Sequence, residues 1–97
     1  MKFKKIDGHE INPIEYTSKI VQNYPDVKIH VGTDSQSKNN KTKYITAIAY
    51  RFNKKGVHYI FSKTKFPKVN SLWNRLYKET ELSLNVAEKL KNKLNIS

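Results

Sequence analysis

Cysteine is absent from the 97-residue sequence. That excludes a disulfide framework, a thiolate nucleophile and cysteine-held zinc. Glycine is scarce, and its three residues stand apart from one another, which excludes a glycine-rich phosphate loop. No apolar run approaches the roughly 20 residues that cross a bilayer, so no membrane span is expected. The opening stretch "MKFKKIDGHE" is basic but has no apolar segment of signal-peptide type, and a cytoplasmic location is the expectation. His9, His30 and His58 are scattered, with no metal-ligand spacing.

Negative charge is also scarce, with 8 acids against 19 Lys or Arg. Met1 to His30 are nearly balanced, with five lysines and four acids, whereas Val31 to Ser97 carry fourteen Lys or Arg against four acids. Between Ser35 and Lys78 there are eleven basic residues and no acid. A long single-sign stretch creates a field that attracts polyanions, and nucleic acid is the partner it points to. A solvated surface serving solubility would use both signs.

The hydrophobic fraction is 37%, enough at this length for one domain with a modest core. Residues 1–26 read as an N-terminal helical segment. Asn12-Pro13 is a helix start, with a capping asparagine and proline at the first helical position, and Tyr24-Pro25-Asp26 ends that helix. Residues 27–66 read as a three-stranded antiparallel meander. Val27 to Thr33 alternates apolar residues on one face, "KYITAIAYRF" and Val57 to Phe66 are β-rich, and Asn53 to Gly56 is a hairpin loop. Residues 70–95 read as a long helix capped by Asn70 or Ser71, with a core sector of Leu72, Leu76, Ser83, Ala87, Leu90 and Leu94. Trp73 is expected as a core anchor or at an interface. Tyr44, Tyr50, Phe52, Tyr59 and Phe61 interleave with lysines; aromatics with cations can stack bases and grip backbone, but more often such aromatics are core residues and cross-strand pairs. The fold class is α+β: a helix, the meander, then the long helix packed on the sheet.

Two carboxylates stand out. Asp34 closes the apolar run "IHVGTDSQ" and is the only acid between Val27 and Lys78. Ordinary turn chemistry and a ligand-binding role both account for it. Glu79 lies beside the apolar sector of the long helix, where an acid requires a partner: a metal, or Arg75 or Lys78. Glu81 and Glu88 fall on the opposite side. Ser35 and Gln36 are placed to hydrogen-bond phosphates or to fix Asp34. A serine nucleophile is not expected, because no base stands beside it.

"HVGTDSQ", then "YITAIAYRF", then "LWNRLYKETELSLNVAEKL" together resemble the YkuK-type ribonuclease-H-like family of bacterial proteins, over about Val27 to Leu94. The resemblance implies a ribonuclease-H-like fold and Mg²⁺-dependent phosphodiester cleavage, with Mn²⁺ as substitute ion. It also implies that Asp34 on the first strand and Glu79 on the following helix are catalytic metal ligands, with Glu81 in reserve. Nucleic acid, as RNA, DNA or hybrid, would be held by Ser35, Gln36, Lys38, Lys41, Lys63, Lys65 and Arg75.

The wider superfamily continues with a fourth strand parallel to the first, further helices and further acids. Here no acid follows Glu88, so the expectation is a truncated version of the fold with an incomplete carboxylate set. A non-catalytic nucleic-acid-binding or adaptor module is the alternative. With its usual neighbour missing, the edge of strand 27–33 is expected to pair with a second copy unless the N-terminal helix covers it.

Overall fold

The computed structural model describes residues 2–38, 40–67 and 71–94. Seven elements follow one another: β1 (Phe3–Lys4), β2 (Glu10–Ile11), α1 (Pro13–Asn23), β3 (Lys28–Lys38), β4 (Lys41–Phe52), β5 (Gly56–Pro67) and α2 (Leu72–Leu94). The strands form one antiparallel sheet in the order β2-β1-β5-β4-β3. The α+β class, the leading helix, the meander and the long final helix are as the sequence implies. The strand count is not: five strands replace three, because Phe3–Lys4 and Glu10–Ile11 form a small hairpin added to the β5 edge. Its turn is built by Asp7-Gly8. Gly8 takes φ +92°, and Asp7 Oδ1 accepts the His9 N–H at 3.0 Å. Strands of two residues have no period to read, which is why the sequence does not announce them.

Helix α1 begins where the cap predicts. Asn12 Oδ1 accepts the amides of Ile14 (2.9 Å) and Glu15 (3.2 Å), satisfying two donors that the first helical turn leaves free. The hairpin between β4 and β5 turns on Lys54 and Gly56, both at positive φ, a conformation that costs glycine least. Ser71 Oγ accepts the Asn74 amide at 3.4 Å at the head of α2; Asn70, the other cap candidate, lies outside the described residues.

Strand β4 organises the protein. Thr42, Tyr44, Thr46, Ile48 and Tyr50 are all fully buried, and both helices cover this face. Tyr16 of α1 meets Tyr50 edge-on, with ring centroids 5.9 Å apart. The Tyr16 hydroxyl shares a hydrogen bond with His58 Nε2, and Thr17 is joined to the Tyr50 hydroxyl at 2.6 Å. From α2, Val86 and Leu90 complete an apolar cluster with Phe3, Ile48, Tyr50 and Ile60.

The helix face differs from the expected sector. Leu82, Val86 and Leu90 are buried, whereas Leu72 and Leu76 are exposed and Trp73 is 79% exposed. Trp73 is therefore not a core anchor. At about 100° per residue, the contact face is rotated by roughly 60° from the expected one, and this rotation turns Arg75 and Glu79 toward the sheet. The aromatics also divide. Tyr44 and Tyr50 are core, while the register pairs Tyr59 with Ala49 and Phe61 with Ala47, on the face no helix covers.

Burial pushes the Tyr50 phenol up to about 12, against a smaller lowering by its bond to Thr17. An unfolded tyrosine titrates near 10. Between about pH 10 and 12 the unfolded chain releases this proton while the folded chain keeps it, so stability falls as pH rises. The loss attributable to Tyr50 should reach on the order of 2–3 kcal/mol. In urea titrations across that range, Tyr50→Phe should decline less steeply than the parent, while losing about 1 kcal/mol at neutral pH because Thr17 loses its partner.

Candidate functional site

Strand β3 alternates as an extended chain must. Ile29, Val31, Thr33 and Ser35 face α2, while Lys28, His30, Gly32, Asp34, Gln36 and Lys38 are exposed on the other side. Asp34 and His30 thus share a face, as alternation implies. The strand runs on to Lys38 instead of turning after Thr33, because Asp34 to Lys38 stay in register with Ile45 to Lys41 of β4.

On the covered face, a polar seam locks β3 to α2. Thr33 Oγ1 bonds Ser83 Oγ at 2.7 Å and Thr46 Oγ1 at 3.0 Å. One step along, the buried Ser35 donates its hydroxyl proton to Glu79 Oε2. Arg75 donates to Ser35 from two nitrogens: Nη2 reaches both Oγ and the backbone carbonyl at 3.1 Å, and Nε reaches Oγ at 3.3 Å. A half-buried carboxylate is tolerated where a hydroxyl donates to it and a guanidinium lies alongside. Lys78 pairs instead with Glu81 Oε1 at 3.2 Å and lies 4.6 Å from the centre of the Phe66 ring.

The two candidate carboxylates are therefore not brought together. Asp34 projects from the open face, where its Oδ1 accepts the Ser35 amide at 3.0 Å. Glu79 meets Ser35 on the covered face. Arg75 reaches the same Ser35 hydroxyl as Glu79. Among the described residues no group of three or more His, Cys, Asp or Glu is placed to hold a metal. In this arrangement the residues do not fit an ion shared between Asp34 and Glu79.

The residues predicted to hold nucleic acid split between the two faces. Ser35 and Arg75 belong to the seam. Gln36, Lys38, Lys41 and Lys65 converge on the open face and line a shallow concavity of about 240 Å³. Lys63 stands one row away, opposite Ile45, its Nζ 5.7 Å from the centre of the Phe61 ring. Sequence reasoning missed one member. Lys43 also lines the concavity, and the signal was present, since an inward Tyr44 forces its neighbour outward. The cross-strand rows are Gln36–Lys43–Lys65 and Lys38–Lys41–Pro67, so like charges stand directly opposite one another in both. That arrangement costs stability in the absence of an anion.

The description Ribonuclease H-like belongs to a family model that matches residues 13–97. No curated protein and no solved structure matches the chain.

The seam makes a specific prediction. Ser35→Ala should cost about 2 kcal/mol, because it leaves the Glu79 carboxylate without its hydroxyl donor. Glu79→Gln should cost less, as the amide still accepts that bond. In a double-mutant cycle measured by urea unfolding, Ser35 and Glu79 should couple by roughly 0.5–3 kcal/mol. Additive losses would show that the contact carries no energy.

Proposed function

The chain belongs to the ribonuclease H-like family, and we propose that it acts there as a nucleic-acid-binding module. One observation carries this reading: four lysines from three strands, with Gln36, converge on a single concavity of the open face. Such a cluster is costly by itself and is relieved by phosphates, whose condensed counterions are released on binding. Within the family, the YkuK-type group is the assignment we favour, on "HVGTDSQ" and the order of elements that follows it. Among the described residues no helix is long and apolar enough to cross a membrane, and a cytoplasmic nucleic acid is the partner we propose.

Binding should weaken steeply with salt. Engagement of about four phosphates gives a slope of roughly −3 in log K against log salt, measurable by fluorescence anisotropy with labelled oligonucleotides. No binding at low salt, or a slope near zero, would refute the reading.

A second reading is metal-dependent phosphodiester cleavage, with Mg²⁺ or Mn²⁺ at Asp34 and Glu79. It is favoured by the position of Asp34, a carboxylate standing beside the lysine rows on the open face. It requires both carboxylates on one side of β3. Titration of labelled protein with either ion, followed by NMR, separates the two readings. The binding-module reading expects no shifts localised to Asp34 and Glu79 at millimolar metal. Shifts at both that disappear in Asp34→Asn would favour cleavage instead.

Among the described residues β3 forms one border of the sheet and pairs with β4 alone, and we propose that its outer edge joins a second copy. Sedimentation should then report a dimer at micromolar protein, and Val31→Pro, which places a ring within that strand, should weaken it. A monomer at all concentrations would rule the pairing out.

A further inference from the structure

The open face is not uniformly charged. Its cross-strand rows run from Lys28–Arg51–Val57, through His30–Ala49–Tyr59 and Gly32–Ala47–Phe61, to Asp34–Ile45–Lys63 and then the lysine rows. The middle of the face is thus a shallow apolar floor with two rings standing on it. Tyr59 is 44% exposed and Phe61 half-buried. Surface aromatics on a sheet ordinarily pack against a bulky residue on the neighbouring strand. Here each ring is opposite an alanine; beyond Ala47, in the Phe61 row, a side chain at Gly32 would meet nothing within 4 Å, and beyond Ala49, in the Tyr59 row, stands the exposed His30. The rings are consequently uncovered on their β4 side, where Ala47 and Ala49 form the floor.

We propose that this face binds single-stranded nucleic acid, with bases stacked on Tyr59 and Phe61 and phosphates held by Lys43, Lys65 and the lysines beside them. The proposal rests on the nucleic-acid reading above and narrows it to a substrate class. Stacking on protein rings requires bases whose faces are free, which a single strand offers and an intact duplex does not. Lysines would grip either one. From Tyr59 to Lys65 along β5 the face extends about 20 Å at some 3.3 Å per residue, enough for a run of several nucleotides. Charge complementarity selects the occupant. A second copy of this chain would bring its own lysine rows against these, whereas a polyanion neutralises them.

The experiment is fluorescence anisotropy of the full chain with a labelled 12-nucleotide single strand, the matching duplex and inorganic polyphosphate. The parent protein should prefer the single strand. Tyr59→Ala combined with Phe61→Ala should weaken single-strand binding tenfold or more, as expected for losing a stacked base at each ring, and leave the duplex and polyphosphate affinities unchanged. Lys43→Gln with Lys65→Gln should weaken all three ligands and flatten the single-strand salt slope by about 1.4. Because Phe61 is half-buried, Tyr59→Ala alone is the control for folding, and it should retain the parent's melting temperature while losing part of the single-strand preference. Equal affinity of parent and ring variants for the single strand, with binding otherwise intact, would overturn the stacking platform and leave nucleic-acid binding standing. Absence of binding to every nucleic acid at low salt would overturn both. A dimer that buries this face and is not dissociated by oligonucleotide would also overturn the platform.

Discussion

The structure depends on the unbroken alternation of β4. Five residues from Thr42 to Tyr50 are sealed from solvent on one side of the sheet, and both helices are spent covering them. Among the described residues no third helix lies on the other side. The consequence is an asymmetric molecule: one face carries the core and the helices, and the other carries whatever the remaining register positions happen to be. Those positions are lysines, small residues and two rings. Function, on this view, is a property of the face that folding does not need.

The covered face is itself divided. Under α1 and the second half of α2 it is apolar, around Ile48, Tyr50, Ile60, Val86 and Leu90. Under the first half of α2 it is hydroxyl-rich: Thr33 bonds Ser83 and Ser35 bonds Glu79 across the helix–sheet boundary, and Thr33 also bonds Thr46 within the sheet. Apolar packing sets how close the helix lies. Directional hydrogen bonds set its rotation, and the Arg75–Ser35–Glu79 contacts fix it at the end where the leucines do not reach the sheet. The Glu79 carboxylate and the Arg75 guanidinium thus have a part in docking the helix, through the one Ser35 side chain that both reach.

Much of the fold was legible. Asn12-Pro13 marked a helix start, alternation marked the meander, Asn53 to Gly56 marked a hairpin, and periodicity marked the helix over 72–94. The misses have physical reasons. Two-residue strands carry no pattern. Leucines on α2 support two overlapping stripes, one through Leu72 and Leu76 and one through Leu82 and Val86, and only the sheet decides between them. The polar stretch Ser35 to Lys38 is not strand-like in composition, and its pairing with Lys41 to Tyr44 holds it extended. At the site, the placement of Asp34 was readable in principle. The alternation that sends Val31 and Thr33 inward sends Asp34 outward and Ser35 inward. What was not readable is that Glu79 has Ser35 as its partner, since that requires the helix rotation.

The small hairpin at the start of the chain has a consequence for assembly. The sheet's two borders are unequal. β3 runs eleven residues with only β4 beside it among the described residues. On the other border the two-residue strands of the hairpin lie against the twelve-residue β5 at the single pair Lys4–Phe61. If copies join through β3, each spends the same border and the arrangement is a closed two-fold pair. Growth beyond a pair would need a continuous second border, and the hairpin interrupts β5 at its middle, as a blocking group does in a growing polymer.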